Sequence, residues 1–319
     1  MALPTLSKSW VFTKVNQAIK EQFDYRDGAR KQLYAIKDAI KSWTGWTVKG
    51  SSDAVNAAMD GVDRWTDYSK IIWDANFSWI VLEKPNAGGP GKDFEILIAC
   101  ATSPTTDNLY VHLSWAGFAG GNISTRPTAV DTYQLLNNVV WRNTAATTGF
   151  DCVIHAISSS DGDVGRIFML KNNVVILYAA FETANNPVTG WTHPYYAAWA
   201  ALDTTFAIFT DTARLICYDA NAPAGWFANY LTCESHVNNT TPERVPYYNQ
   251  FSGESPLYPV GAASTAANKR GRHGQLYDLW WGSPTRRVGD TYPDNGNGQF
   301  VDVGGNLVIP WNGSLYVPL

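Results

Sequence analysis

Charge is what this sequence has least of. Asp, Glu, Lys and Arg make up 16% of its 319 residues, against about 25% in an average soluble domain. Uncharged polar residues and aromatics must cover much of the surface instead, and such surfaces suit broad contacts between subunits or stacking on carbohydrate. Cysteine is scarce too. Cys100, Cys152, Cys217 and Cys233 lie far apart with no Cys-x-x-Cys spacing, so no local zinc framework is visible. Three of them stand in apolar runs (Ile-Ala-Cys, Cys-Val-Ile and Leu-Ile-Cys) and are expected to be reduced, buried hydrophobes. Long apolar runs are missing as well. No stretch approaches the ~18 uninterrupted apolar residues of a membrane span, and the opening residues contain no run of signal-peptide length. No membrane span is expected, and folding is expected in a cytoplasm.

Local catalytic signatures are also lacking. The five histidines (His112, His155, His193, His236 and His273) are isolated, with no His-x-x-x-His or His-Glu-x-x-His pattern. His112 and His155 lie in strand-like apolar surroundings, where a packed, hydrogen-bonded ring is the better account. Gly88-Gly-Pro-Gly-Lys92 fails the phosphate-loop test. Asn86 stands in place of the first Gly, Asp93 follows the Lys, and a strand follows in place of a helix. Gly50-Ser-Ser-Asp53 lacks the second Gly of a nucleophile elbow and reads as a polar loop. Ser160-Asp-Gly-Asp163 and the stretch around Asp294 lack the closing Glu of a calcium loop, so turn chemistry accounts for them. Glycoside hydrolysis needs only two carboxylates about 5–10 Å apart. Glu95, Glu182, Asp203, Asp219 and Glu234, in or near strands, keep that chemistry open.

Aromatics, in contrast, are plentiful: 14 Trp, 16 Tyr and 13 Phe. Most of the Trp are expected in the core, although Trp also suits interfaces, where its ring buries area and its N–H finds a partner. Charge is unevenly placed. Residues 1–41 carry eight bases and four acids, a net +4, and the remaining 278 residues carry a net −8. A total of −4 gives no reason to expect general affinity for nucleic acid.

Residues 5–12 read as extended, and residues 13–42 carry a helical pattern. Leu33, Ile36, Ile40 and Trp43 recur at intervals of 3, 4 and 3, with Val15, Ala18, Ile19 and Phe23 upstream. Gly28 marks a bend or break. The stripe is covered either by the chain's own body, the default, or by helix–helix association around an oligomer axis. Beyond Gly45 the texture becomes β-like. A short helix is expected at 53–59, then strands at 77–82, 94–101 and 109–115 in an antiparallel meander. Further strands are expected at 152–157, 166–171, 174–181, 206–209 and 213–218, with Asn172-Asn173 as a hairpin turn. Residues 195–202 read as a short helix. Residues 219–275 are rich in Asn, Pro and Gly and show few strand patterns, and Lys269-Arg-Gly-Arg-His273 reads as a basic loop. Strands return at 276–281, 300–303, 307–310 and 315–317. The expected fold is mainly β, with antiparallel, sandwich-like sheets. An N-terminal extended and helical anchoring segment (residues 1–45), with its amphipathic helix, precedes a β-rich body (46–319).

Several stretches look familiar together: Met1-Ala-Leu-Pro-Thr-Leu-Ser-Lys with Trp10, Ser51-Ser-Asp with Ala58-Met-Asp-Gly-Val-Asp-Arg-Trp65, and Phe77-Ser-Trp-Ile-Val-Leu82. The ending adds Gly289-Asp-Thr-Tyr-Pro, Phe300-Val and Leu307-Val-Ile-Pro-Trp-Asn-Gly313. On these stretches the chain resembles a group of tailed-bacteriophage virion structural proteins. The resemblance implies a particle component of the neck, tail, baseplate or capsid surface and brings no catalytic residues with it. Symmetric assembly with aromatic, charge-poor contacts fits the same picture.

The expected function is therefore a non-enzymatic virion structural protein that oligomerises and docks on other virion proteins. Val15, Ile19, Phe23, Leu33, Ile36, Ile40 and Trp43 are its expected oligomer or anchor interface. No catalytic residue, cofactor or metal is assigned. The alternatives are a host-glycan-binding fibre or adhesin module, with exposed Trp and Tyr in a groove, and a particle-borne glycan-cleaving enzyme.

Overall fold

A computed structural model of the chain describes residues 10–19, 25–72, 74, 76–86, 93–102, 107–114, 116–130, 132–140 and 150–171. Beyond these it describes the strands at 174–186, 191–202, 215–218, 226–233, 258–264, 272–282, 301–303, 306–310 and 314–318. The described residues are mostly antiparallel strands, with one α-helix among them. Among them no helix is long and apolar enough to cross a membrane. Backbone contacts divide the chain into two compact units, Val11–Asn172 and, together with the first ten residues, Asn173–Leu319.

The first unit takes in all but the first residue of β1 (Trp10–Ile19) and continues into α1 (Tyr25–Ser42). The helical pattern expected from residue 13 therefore begins only at Tyr25. Val15 and Ile19 stand in a strand, and Phe23 lies outside the described residues. The physical reason is local. Trp10, Val11, Phe12, Thr13 and Val15 are aromatic or β-branched, and such side chains fit a pleated strand better than a helix. Gly28 falls inside α1 and does not end it. After Ser42 the chain turns at Gly45 (φ +78°), a left-handed conformation that favours glycine.

Next come β2 (Thr47–Ser52), β3 (Ala57–Ala58), a single 3-10 turn at Tyr68–Lys70, β4 (Ser78–Lys84), β5 (Phe94–Thr102), β6 (Asp107–Ser114) and β7 (Tyr133–Val140). The strands form one sheet in the order β3-β2-β4-β5-β6-β7. The meander β4-β5-β6 matches the sequence reading, and β7 adds a strand that the residue pattern does not announce. No helix occurs at 53–59. Asp53 makes a turn there instead, its Oδ1 accepting the N–H groups of Val55 (2.9 Å) and Asn56 (2.7 Å). The first unit ends with β8 (Phe150–Ser159) paired antiparallel to β9 (Gly165–Lys171).

At the sheet's centre Ile80 pairs with Ile98, Leu82 with Ile96 and Glu83 with Glu95. Strand β6 sets His112 opposite Leu97 and Tyr110 opposite Ala99. Successive side chains point to opposite faces. Ile80, Leu82, Ile96 and Ile98 therefore share one face, and Trp79, Val81, Leu97 and Ala99 share the other. All eight are buried, so β4 and β5 read as unbroken apolar runs without the alternation of a half-exposed strand. Cys100 near the end of the β5 run is buried, and its thiol donates to the Ile72 carbonyl at 3.8 Å.

The helical stripe is covered by its own chain. Leu33, Ile36, Ile40 and Trp43 are only 1%, 7%, 2% and 4% exposed in the single chain. Trp43 meets Trp46 edge-on at 6.2 Å, and Trp46 meets Phe94 of β5 at 6.1 Å. The Tyr34 hydroxyl donates to the Thr66 carbonyl (3.1 Å), and Lys37 Nζ donates to the Trp65 carbonyl (2.9 Å) and to Asp63 (3.1 Å). Own-body packing thus describes these four residues, which are closed off without a second copy.

The second unit contains β10 (Val174–Asn186), β11 (Trp191–Leu202), β12 (Leu215–Tyr218), β13 (Trp226–Cys233), β14 (Tyr258–Ser264), β15 (Arg272–Gly282), β16 (Val301–Val303), β17 (Asn306–Pro310) and β18 (Ser314–Pro318). From β10 to β15 each strand pairs antiparallel with the next, and Asn185 pairs back to Gln275. Two expectations are corrected here. Residues 195–202 are strand, not helix. Their alanines favour a helix, but pairing with β10 runs from Tyr195 opposite Ala184 to Leu202 opposite Leu177, and tertiary context wins. The segment 219–275, read as poor in strands, contains β13, β14 and the start of β15. Arg272 and His273 accordingly stand in a strand and not in a loop. The strand expected at 206–209 and the turn at Asn172-Asn173 lie outside the described residues.

Candidate functional site

Among the described residues, one group of three carboxylates lies at the end of the sheet where β2, β4 and β5 pair. Glu83, Asp93 and Glu95 each bring a carboxylate oxygen to within 4.8 Å of the other two. Pairing of β4 with β5 sets Glu83 beside Glu95 on the same face. A register shift between Val48 and Gly50 marks Lys49 in β2. Lys49 Nζ stands 2.5 Å from Glu95 Oε1. The other oxygen, Glu95 Oε2, accepts the Phe118 N–H at 2.6 Å. Gly117 makes that approach possible. Its φ is +88°, and a Cβ there would lie 3.1 Å from Glu95 Oε1 and 3.3 Å from Lys49 Nζ. Asp93 Oδ1 accepts the Asn86 N–H at 2.8 Å.

Burial, and then the Glu95 charge, push the Glu83 carboxyl above its ordinary range, with Lys49 pulling the other way. Three carboxylates are the donor type of a hard cation, but the Lys49 ammonium already provides positive charge at Glu95. Carboxylate oxygens within 4.8 Å of one another stand at or below the short edge of the separation used in two-carboxylate glycoside cleavage. Glu95, however, is 1% exposed, and both its oxygens are engaged by groups of its own chain. The arrangement is well suited to holding the sheet end to the segment after β6, and to taking up a proton at Glu83.

The other sequence candidates are dispersed. Ser51 and Ser52 lie inside β2, not in a loop, and are buried. Ser51 Oγ donates to the Val62 carbonyl (2.6 Å) and accepts the Arg64 N–H (2.8 Å), while Ser52 Oγ accepts the Trp79 N–H (2.9 Å). The Ser51 hydroxyl ties a loop to the sheet, and the Ser52 hydroxyl ties β2 to β4. Ser160-Asp-Gly-Asp163 is a turn, as expected: Gly162 has φ +71°, and Asp161 Oδ1 accepts the Asp163 N–H at 3.0 Å. Asp163 also pairs with Lys84 (2.8 Å). The Gly88–Lys92 segment, with Asp203, Asp219, Glu234, His236 and Asp294, lies outside the described residues. Glu182 falls in β10, His155 in β8 and His193 in β11. Among the described residues, Trp43, Trp46, Trp65 and Trp79 are all buried, so the core reading applies to these four.

One constellation has no signal in the sequence. Arg126 lies 4.2 Å above the Tyr110 ring, and its Nη1 stands 3.2 Å from His112 Nε2. A guanidinium can only donate, so Nε2 accepts and His112 carries its ring proton on Nδ1. His112 is thus a buried, hydrogen-bonded ring, as its surroundings suggest. No spacing rule links Arg126 to Tyr110 and His112 of β6, and its role depends on how the chain returns over the sheet.

No protein-family model, curated protein or solved structure matches the chain.

Proposed function

We propose that this chain is a non-enzymatic structural component of a bacteriophage particle. In this reading it is a neck, tail, baseplate or capsid-surface protein that oligomerises and docks on other virion proteins. The reading rests first on the resemblance of its opening, its 51–82 region and its ending to tailed-phage virion proteins. The observation that carries it further is the use made of reactive side chains. Ser51, Ser52, Glu95 and His112 are buried and bonded within their own unit, which supports a structural reading of these side chains. A charge-poor, antiparallel β-rich chain also suits subunit contacts that must close without charge repulsion. Sandwich-like packing of the sheets belongs to the same proposal. The subunit contacts would lie elsewhere than Leu33, Ile36, Ile40 and Trp43, which their own chain already covers.

The direct test is to purify particles of the phage that encodes the chain, label them with antibody and count copies by quantitative mass spectrometry. A fixed copy number at one location is expected. Absence from intact particles would sink the reading. A second measurement is the mass of the free chain in solution, where a closed oligomer is expected.

A further inference from the structure

The Arg126 constellation has an electrostatic imbalance. Among the described residues no carboxylate pairs with this guanidinium; its partners are the His112 ring nitrogen and the Tyr110 face. Burial pulls its pKa down, with only the Tyr110 hydroxyl opposing. A half-buried cation without a counter-ion costs free energy, and that cost falls when an anion arrives.

The cation is also held in place. Arg126 stands in the returning arm of a small hairpin closed by paired bridges, Ala119 with Thr128 and Asn122 with Thr125. Asn122 Oδ1 accepts the N–H groups of Ser124 (2.7 Å) and Thr125 (2.9 Å). The hairpin is tied to β4 by Trp79 Nε1, which donates to the Asn122 carbonyl at 3.0 Å, and at its edge by the Phe77 N–H, which donates to the Ile123 carbonyl at 3.1 Å. Pro127 beside Arg126 is buried. The Tyr110 ring lies under the guanidinium carbon at 4.2 Å, and one donor of the fork goes to His112, so two contacts constrain the group. A planar fork with donors to spare, oriented in advance, is the form in which arginine recognises carboxylate or phosphate oxygens in pairs.

We propose that Arg126, stacked on Tyr110 and oriented by His112, is a binding site for an oxyanion, a carboxylate or a phosphate. This goes beyond the virion reading and does not depend on it. Pre-organisation lowers the ordering cost of binding. The buried imidazole presents Nε2 as the acceptor for one guanidinium donor.

The test uses the full chain, titrated with sodium acetate and separately with inorganic phosphate, each against sodium chloride at matched ionic strength. The thermal midpoint and the Arg126 Nε–Hε resonance are followed. A saturable rise in midpoint and a saturable resonance shift are expected beyond the chloride control. Tighter binding of phosphate identifies phosphate as the natural group; equal or tighter binding of acetate identifies a carboxylate. Arg126→Gln should abolish the midpoint response. Arg126→Lys keeps the charge, loses the planar fork, and should weaken binding by about tenfold. The proposal is overturned by a wild-type response no greater than chloride, or by Arg126→Gln responding as wild type does. If the Gln variant does not fold, the Lys variant decides: binding as tight as wild type would overturn the proposal.

Discussion

The two faces of the β4-β5-β6 strands are built from neighbouring residues yet meet different covers. On one face Ile80, Leu82, Ile96 and Ile98 are apolar, and Phe94 on that side meets Trp46 just beyond α1. A helix satisfies its own backbone hydrogen bonds, so it asks only for apolar surface. On the other face Trp79, Val81, Leu97, Ala99, Tyr110 and Phe118 cluster, and the cover is the irregular chain at 116–130. Such a segment brings backbone groups that need partners. The face supplies them: Glu95 accepts the Phe118 N–H, and Trp79 donates to the Asn122 carbonyl. Residues that look chemical in the sequence are here the hydrogen-bond partners of a loop.

The largest expected effect tests that division. Trp79→Ala removes a fully buried ring and leaves the Asn122 carbonyl without its indole donor. It should cost about 3–5 kcal/mol in urea unfolding. Amide exchange should rise first across 116–130, and an even rise over both faces would break the comparison. Next is Lys37, 1% exposed on the helix side, where it pairs with Asp38 (2.6 Å) and Asp63 (3.1 Å). Lys37→Ala should cost about 2–3 kcal/mol, because it empties a buried site and leaves the Trp65 carbonyl without its donor, while Lys37→Met, which keeps the packing of the stem, should cost less. A smaller loss is expected from Gly121→Ala. Gly121 has φ +88°, and a Cβ there would lie 2.8 Å from Pro127 Cγ and 3.0 Å from Trp79. Strain of about 1–3 kcal/mol should appear in the same unfolding assay.

The smallest effect is a pH dependence at the acidic end. Glu83 has a raised carboxyl pKa, so between its unfolded and folded values the folded state binds more protons. Stability should fall as pH rises through that window. Glu83→Gln removes the charge and should flatten this slope, with stability nearest wild type at low pH and above it at neutral pH. Unfolding curves across the carboxylate range and up to neutrality check the sign. A variant with the wild-type slope would show that Glu83 does not carry the effect.

Much of the framework is legible in residue pattern. The runs Ser78–Lys84 and Phe94–Thr102, the period of Leu33, Ile36, Ile40 and Trp43, and the turn at Ser160–Asp163 each announce a local structure, because periodicity and turn chemistry act over a few residues. Where local signals compete, pattern misleads. Val15 and Ile19 fit a helical stripe by spacing but belong to a strand rich in β-branched and aromatic neighbours. The alanines of 195–202 favour a helix but pair along β10.

Composition alone set the bounds: few charges, few cysteines and histidines, and many rings to bury. Those properties are sums over residues and need no geometry. Only the tertiary structure decided that Glu83, Asp93 and Glu95 meet, that Ser51 and Ser52 are enclosed, and that Arg126 rests on Tyr110 beside His112. Each of these joins residues separated along the chain. Which of them touch depends on strand register and on the path of a covering loop, and a list of residues does not encode either one locally.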